Sequence, residues 1–323
     1  MDEAEVARRV QKTGGGTFAV SLPKEWALAQ GVVAKSTAFI TANPDGSLTL
    51  RARRSDTEKK RLVETGTDVE NSLRKVISAY VSGADAIVVK GALAATVCEE
   101  ARARLSALET IEESGDEVTL QVFEKGEGFT LDGVLKRMHV VVLALFGVSR
   151  QLFEKGTAQT GEAEKREREI DRMYFLALRG AVRARGGLPE ALHKAFAAKA
   201  LEDIADNLDE ACREGAAVAP NARIVSLVEQ AEETYRACFE TLYLGRYSER
   251  RFALVGELED KLRLETDELM KAVKKPGKAL AMKGVLERLQ DIAEYSKDLL
   301  EIGSDVTEFR KGSPEKGGPL KRE

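Results

Sequence analysis

Cysteine and histidine are scarce in this chain of 323 residues, with three of the first and two of the second. Cys98, Cys212 and Cys238 are odd in number and lack metal-type spacing, which argues against a disulfide scaffold and suits the reducing cytoplasm. Neither His139 nor His193 has a cysteine nearby, so zinc sites and nucleophilic triads lack their materials. Long apolar runs are missing too. The longest nearly apolar stretch, Met138 to Val148, falls far short of the roughly 20 residues that a membrane span needs. The first residues carry Glu3, Glu5, Arg8 and Arg9, so neither membrane insertion nor a signal peptide is expected. No charge of one sign dominates. With 54 acidic and 50 basic side chains the net charge is −4, and any nucleic-acid surface must be local. At 43% hydrophobic and 32% charged the chain is globular, and its length exceeds what one core usually serves.

What is present changes character along the chain. Val6 to Val10 and Thr17 to Ser21 read as short strands separated by Gly14, Gly15 and Gly16. Pro23 opens a short helix over Lys24 to Gln30 that Gly31 closes, and two further strands flank the turn residues Asn43-Pro-Asp-Gly46. So small a β-rich module has too little core to stand alone and calls for a second chain. From Asp68 to Phe123 helix and strand alternate. The spacing of Val69, Leu73, Val76, Ile77 and Tyr80 predicts a helix, Ala86 to Val89 a strand, Val97 to Leu108 a helix and Val118 to Phe123 a strand. Beyond Gly128 the pattern is helical to about Gly303, and breakers at Gly156, Gly186 to Pro189, Pro220, Gly245 and Pro276-Gly277 divide it into six helices. The Gly- and Pro-rich end from Lys311 reads as disordered.

The helical part repeats itself. Glu167-Arg-Glu-Ile-Asp171, followed by Glu202-Asp-Ile-Ala-Asp206, recurs 85 to 92 residues downstream as Glu259-Asp-Lys-Leu-Arg263 and Glu287-Arg-Leu-Gln-Asp291. That points to a duplicated three-helix unit and to two stacked three-helix bundles. In each first-half pair the carboxylates are four residues apart, hence about 40° apart around the helix. Converging from two antiparallel helices, Glu167, Asp171, Glu202 and Asp206 would offer hard oxygen ligands to a divalent or trivalent metal ion. A solvated acidic face paired with Arg168 and Arg172 is the other reading. The second-half set, Glu259, Glu287 and Asp291, is a weaker metal site, because Arg263 puts a fixed cation at a ligand position that can pair with the remaining carboxylates.

A second candidate lies in the N-terminal module. Between Glu5 and Arg54 eight Lys or Arg stand against three acids, a local charge of +5 on an otherwise acidic chain. Such a module can grip a phosphate backbone, and a two-stranded ribbon fits a DNA major groove. A charged edge that prevents aggregation is the alternative. Two chemistries drop out. Gly14 to Gly16 lack the Gly-Lys-Ser/Thr of a phosphate-cradling loop, and Glu190-Ala-Leu-His193 has no second copy, since Lys136 stands at the matching offset from His139.

The stretch from Arg8 to Trp26, with Thr17-Phe-Ala-Val-Ser-Leu-Pro-Lys-Glu-Trp26 at its heart, resembles the archaeal-type AbrB/SpoVT swapped-hairpin DNA-binding domain. The resemblance implies a strand, Pro-capped helix and strand interlocked between two chains as a β-barrel, and DNA contact through Arg8, Arg9 and Lys12. The six-helix part resembles PhoU, the phosphate-uptake regulator, whose paired carboxylate motifs hold metal clusters. Asp203 stands where that family usually has Arg, and Arg263 where it has Asp. The expected fold is multidomain: an AbrB-like DNA-binding and dimerisation domain over 1–55, a small α/β connecting layer over 56–127, PhoU-like paired three-helix bundles, all α, over 128–305 and a tail over 306–323. The expected function follows from the resemblances: a cytoplasmic homodimeric DNA-binding transcriptional regulator of phosphate uptake, non-enzymatic, with iron, zinc or magnesium in its bundles. The rival is an adaptor that uses the first domain only as a clasp and docks on phosphate transporter subunits or a sensor kinase. A metal-dependent enzyme is disfavoured, because no general acid or nucleophile stands out.

Overall fold

The structure is a computed structural model that describes residues 6–42, 46–52, 58–124, 129–156, 160–184, 188–244, 248–272 and 275–312. Outside them lie Arg53 and Arg54, the turn residues Asn43 to Asp45, the breakers Gly186, Gly187 and Gly245, the boundary at 127 and 128, and the end of the chain from residue 313. The chain forms two units, one reaching Thr57 and the other running from Glu58 to Glu315.

In the first unit β1 (Gln11–Lys12) pairs antiparallel with β2 (Phe18–Ala19) around a turn over Gly14–Gly16. Gly15 and Gly16 have φ of 81° and 92°, a region closed to most side chains, which is why glycine stands there. α1 (Lys24–Ala29) follows Pro23, whose carbonyl accepts from the Ala27 amide, and β3 (Phe39–Ala42) pairs with β4 (Leu48–Arg51). The strand expected over Val6 to Val10 is absent: that segment finds no pairing partner among the described residues, and the ladder is limited to Gln11 and Lys12. Not one described residue between 6 and 52 is buried, and Phe18, Leu28 and Val33 are about two-thirds exposed or more (69%, 66% and 72%). The described residues of this module form no core of their own.

The second unit opens with a sheet and two helices. β5 (Lys60–Glu64), α2 (Val69–Val81), β6 (Ala86–Lys90), α3 (Ala94–Arg104), β7 (Leu108–Ser114) and β8 (Glu117–Val122) give the strand order β5-β6-β8-β7. β5 runs parallel to β6, as a helical crossover requires, and the other pairings are antiparallel. Asp68 caps α2 by accepting from the Asn71 amide at 2.7 Å, and Leu73, Val76, Ile77 and Tyr80 bury its apolar stripe. The helix expected to reach Leu108 stops at Arg104. Leu105 is already extended, Ala107 takes a positive φ of 59°, and Leu108 starts a strand instead.

Six long helices follow, as the breakers predict: α4 (Leu131–Lys155), α5 (Thr160–Arg183), α6 (Leu188–Gly215), α7 (Ala222–Leu244), α8 (Glu249–Ala272) and α9 (Pro276–Gly312). α4, α5 and α6 pack pairwise, as do α7, α8 and α9, while α6 lies along α9 and α4 against α7. Small residues permit these approaches. Ala197, Ala198 and Ala205 of α6 are fully buried, and at Gly303 of α9 a Cβ would come within 2.8 Å of the α7 backbone at Leu242. α9 carries on to Gly312, beyond the boundary expected at 305, because Leu299, Ile302 and Val306 prolong its apolar stripe. α5 is clamped to the α/β layer. Its Arg179 is fully buried, donates to the Tyr80 carbonyl at 2.6 Å and to Glu124 at 2.5 Å, and lies 4.9 Å over the Tyr80 ring, while Arg183 pairs with Asp85 at 2.8 Å.

Candidate functional site: a carboxylate cluster between two helices

Glu167 and Asp171 sit one turn apart on α5, and Asp206 faces them from α6. One oxygen from each of the three lies within 4.8 Å of the others, all three side chains being half-buried, and among the described residues no other carboxylate, thiol or imidazole group gathers in this way. Burial raises all three acids. Asp206 is pushed up to about 7, by desolvation first and then by the charges of Glu202 and Asp171. Glu167 is raised by desolvation and by Asp171 and Asp206, and Asp171 by desolvation, against a hydrogen bond to Glu167 that lowers it. Groups that resist ionisation only because their negative charges are crowded and desolvated would be relieved by a cation.

The fourth expected ligand is diverted. Glu202 pairs with Lys199, which also holds Asp203 at 2.7 Å, so Lys199 neutralises that end of α6. Sequence reasoning missed this lysine, although its spacing of three from Glu202 is plain. It also missed Asp209, one turn beyond Asp206. Asp209 is completely buried, lies against Arg213, and has no well-aligned hydrogen bond on either oxygen. Its position on an apolar helix face concealed it among core residues.

The second-half residues do not come together. Glu259 and Glu287 are exposed, Glu287 pairs with Lys283 at 3.3 Å, and Asp291 lies 3.6 Å from Arg288. Arg263 does not neutralise the remaining carboxylates as expected: it is 79% exposed and pairs with Asp260 at 2.8 Å, because its face of α8 turns to solvent. The histidines serve packing and local bonding. His139 stacks on Phe239 at 3.9 Å and is lowered to about 4 by burial and Arg236, while His193 bonds the Pro189 carbonyl at 2.7 Å. In the N-terminal unit Arg8, Arg9 and Lys12 are all exposed, and among the described residues no ion pair engages them.

Comparison with known proteins bears on that N-terminal unit. Residues 11–58 match the family described as antidote-toxin recognition MazE, bacterial antitoxin. The chain therefore starts with a MazE/AbrB-type domain and continues as a mostly helical region. The match includes Lys12 and leaves Arg8 and Arg9 just outside it. No curated protein and no solved structure matches the chain. No helix among the described residues is long and apolar enough to cross a membrane.

The cluster has a consequence for stability. Asp206 titrates near 7 in the folded chain and at its ordinary 3.8 when unfolded, so between these values the folded form holds a proton that the unfolded form has released. Stability from this group is complete below the lower value and is lost as pH rises through the upper one. Metal-free protein should melt lower at pH 8 than at pH 6, by about 1–2 °C after allowance for solvent screening of a half-buried group. Melting in chelator at both pH values checks this; a flat or rising midpoint would contradict it.

Proposed function

We propose that the chain is a dimeric, non-enzymatic, cytoplasmic transcriptional regulator that binds DNA through its MazE/AbrB-type domain and senses phosphate status through PhoU-like helical bundles. The match over residues 11–58 carries the DNA-binding part of this reading, and the resemblance of the helical half to PhoU is what suggests the phosphate part. Domains of this type commonly bind DNA and dimerise, and the first unit, whose described residues form no core, agrees, since a swapped-hairpin barrel would cover its exposed Phe18, Leu28 and Val33 with a second chain. Arg8, Arg9 and Lys12 are the DNA contacts, by their charge and exposure.

The cluster of Glu167, Asp171 and Asp206 suits a divalent or trivalent ion such as iron, zinc or magnesium, because its donors are hard, crowded oxygens. Such an ion would neutralise the cluster. α5 bears two of these carboxylates and, further along, the buried Arg179 clamp, so one rigid helix links the site to the α/β layer. A second reading keeps the domain as a clasp on an adaptor for phosphate transporter subunits or a sensor kinase; the matched family is described by protein recognition, which favours it. Chromatin capture of the tagged protein in phosphate-rich and phosphate-starved cells decides between them. Specific peaks that change with phosphate are expected. Their absence, with transporter or kinase subunits co-purifying, would establish the adaptor.

A further inference from the structure

β5 is an edge strand, and among the described residues no second strand pairs with its outer side. Within the sheet its only neighbour is β6, and a groove of about 570 Å³ opens between it and α2. The Thr65 amide donates to the Lys90 carbonyl and the Asp85 amide to the Lys59 carbonyl, so odd-numbered residues turn their backbone groups toward β6. By alternation Lys60, Leu62 and Glu64 turn theirs outward. Their side chains share the sheet face away from α2 and α3, with Val88 and Thr119 in the same cross-strand row as Leu62. Val63 points the other way into the core, whereas Leu62 is 63% exposed.

We propose that β5 pairs antiparallel with β5 of a second copy of this chain, joining two four-stranded sheets into one of eight. Centred on Leu62, the segment Lys60-Arg-Leu-Val-Glu64 is self-complementary. Leu62 meets Leu62 of the second copy, and Lys60 meets its Glu64 on both sides, so apolar and opposite-charge pairs coincide. The backbone agrees with this register. Leu62 and its counterpart exchange two bonds, and each Glu64 amide reaches the opposite Lys60 carbonyl. These four leave the Glu58 carbonyl on the Lys60 amide and the Lys75 ammonium on the Glu64 carbonyl undisturbed.

The other edge cannot do the same. β7 is interrupted by a register shift between Thr110 and Glu112 and carries Glu109, Glu112 and Glu113, so pairing it with its own copy would crowd like charges on an irregular edge. Basic β5 could meet acidic β7 of another copy, but that head-to-tail contact propagates without closing, whereas the β5 pairing closes as a two-fold dimer. β5 begins at Lys60, two residues past the matched stretch that ends at residue 58.

Cross-linking of the full chain reads this contact independently of the proposed first-domain dimer. The three native cysteines are buried, so Leu62→Cys adds the one exposed thiol among the described residues. Mild oxidation should convert most of Leu62→Cys into a covalent dimer and leave Ile111→Cys monomeric on a non-reducing gel. Lys60→Glu added to Leu62→Cys should abolish most of the product, and Lys60→Glu with Glu64→Lys should restore it. Failure of Leu62→Cys to cross-link while the chain sediments as a dimer would overturn the pairing and spare the first-domain dimer. Cross-links between Leu62→Cys and Ile111→Cys chains, or no rescue by the charge exchange, would overturn it as well.

Discussion

Asp206→Asn is expected to strip bound metal from the protein, while Asp291→Asn leaves the metal content at that of the parent. Asp206 is the one carboxylate that α6 brings to Glu167 and Asp171, and Asn keeps its shape while removing the anionic oxygen. Loss of even an outer-sphere partner typically weakens a metal site about 10- to 100-fold, so losing this oxygen should lower affinity by at least that much. Asp291 belongs to no such group: it lies beside Arg288, and Glu259 and Glu287 point to solvent elsewhere. Elemental analysis of the two variants purified together settles the matter. Equal losses, or a loss confined to Asp291→Asn, would show that the first-half cluster is only a crowded acidic face. Metal-free Asp206→Asn should also melt higher than the metal-free parent at pH 8, because a desolvated charge has been removed.

DNA affinity should collapse when Arg8, Arg9 and Lys12 are all replaced by Ala. Each cation that neutralises a phosphate releases counterions, contributing about 0.9 to the slope of log affinity against log salt; removing three should flatten that slope by roughly 2.7 and weaken binding by about 100-fold or more near 0.1 M salt. The three side chains are exposed and tied to no described acid, so the fold has little to lose by the change. Gel shifts at several salt concentrations measure both quantities. A variant with the parent's affinity and slope would remove these residues from the interface. Loss of Lys12 alone matching the triple variant would confine contact to the matched stretch.

The elements that the sequence revealed are those whose causes are local. Gly156 ends α4 in the left-handed conformation, and Pro276 begins α9 where a missing amide does no harm. Breakers like these act within one turn, so the six helices were legible from composition alone. β5 and β7 were not. Lys60, Arg61 and Glu64 in one, and Glu109, Glu112 and Glu113 in the other, mask the alternation of a buried strand, because edge strands bury one side at most.

The candidate site divides the same way. That Glu167 and Asp171 share a helix face follows from a spacing of four, and the sequence determined it, along with the +5 charge of the first module and the Pro-opened α1. Spacing within one helix says nothing about which face of a neighbour it meets. Tertiary packing chose Asp206 over Glu202 as the third carboxylate, set Lys199 against Glu202, sealed Asp209 in the interior and left Glu259, Glu287 and Asp291 apart. The physical reason is range. Caps, turns and periodicity are decided over a few residues, whereas desolvation and the convergence of charges depend on which helices touch.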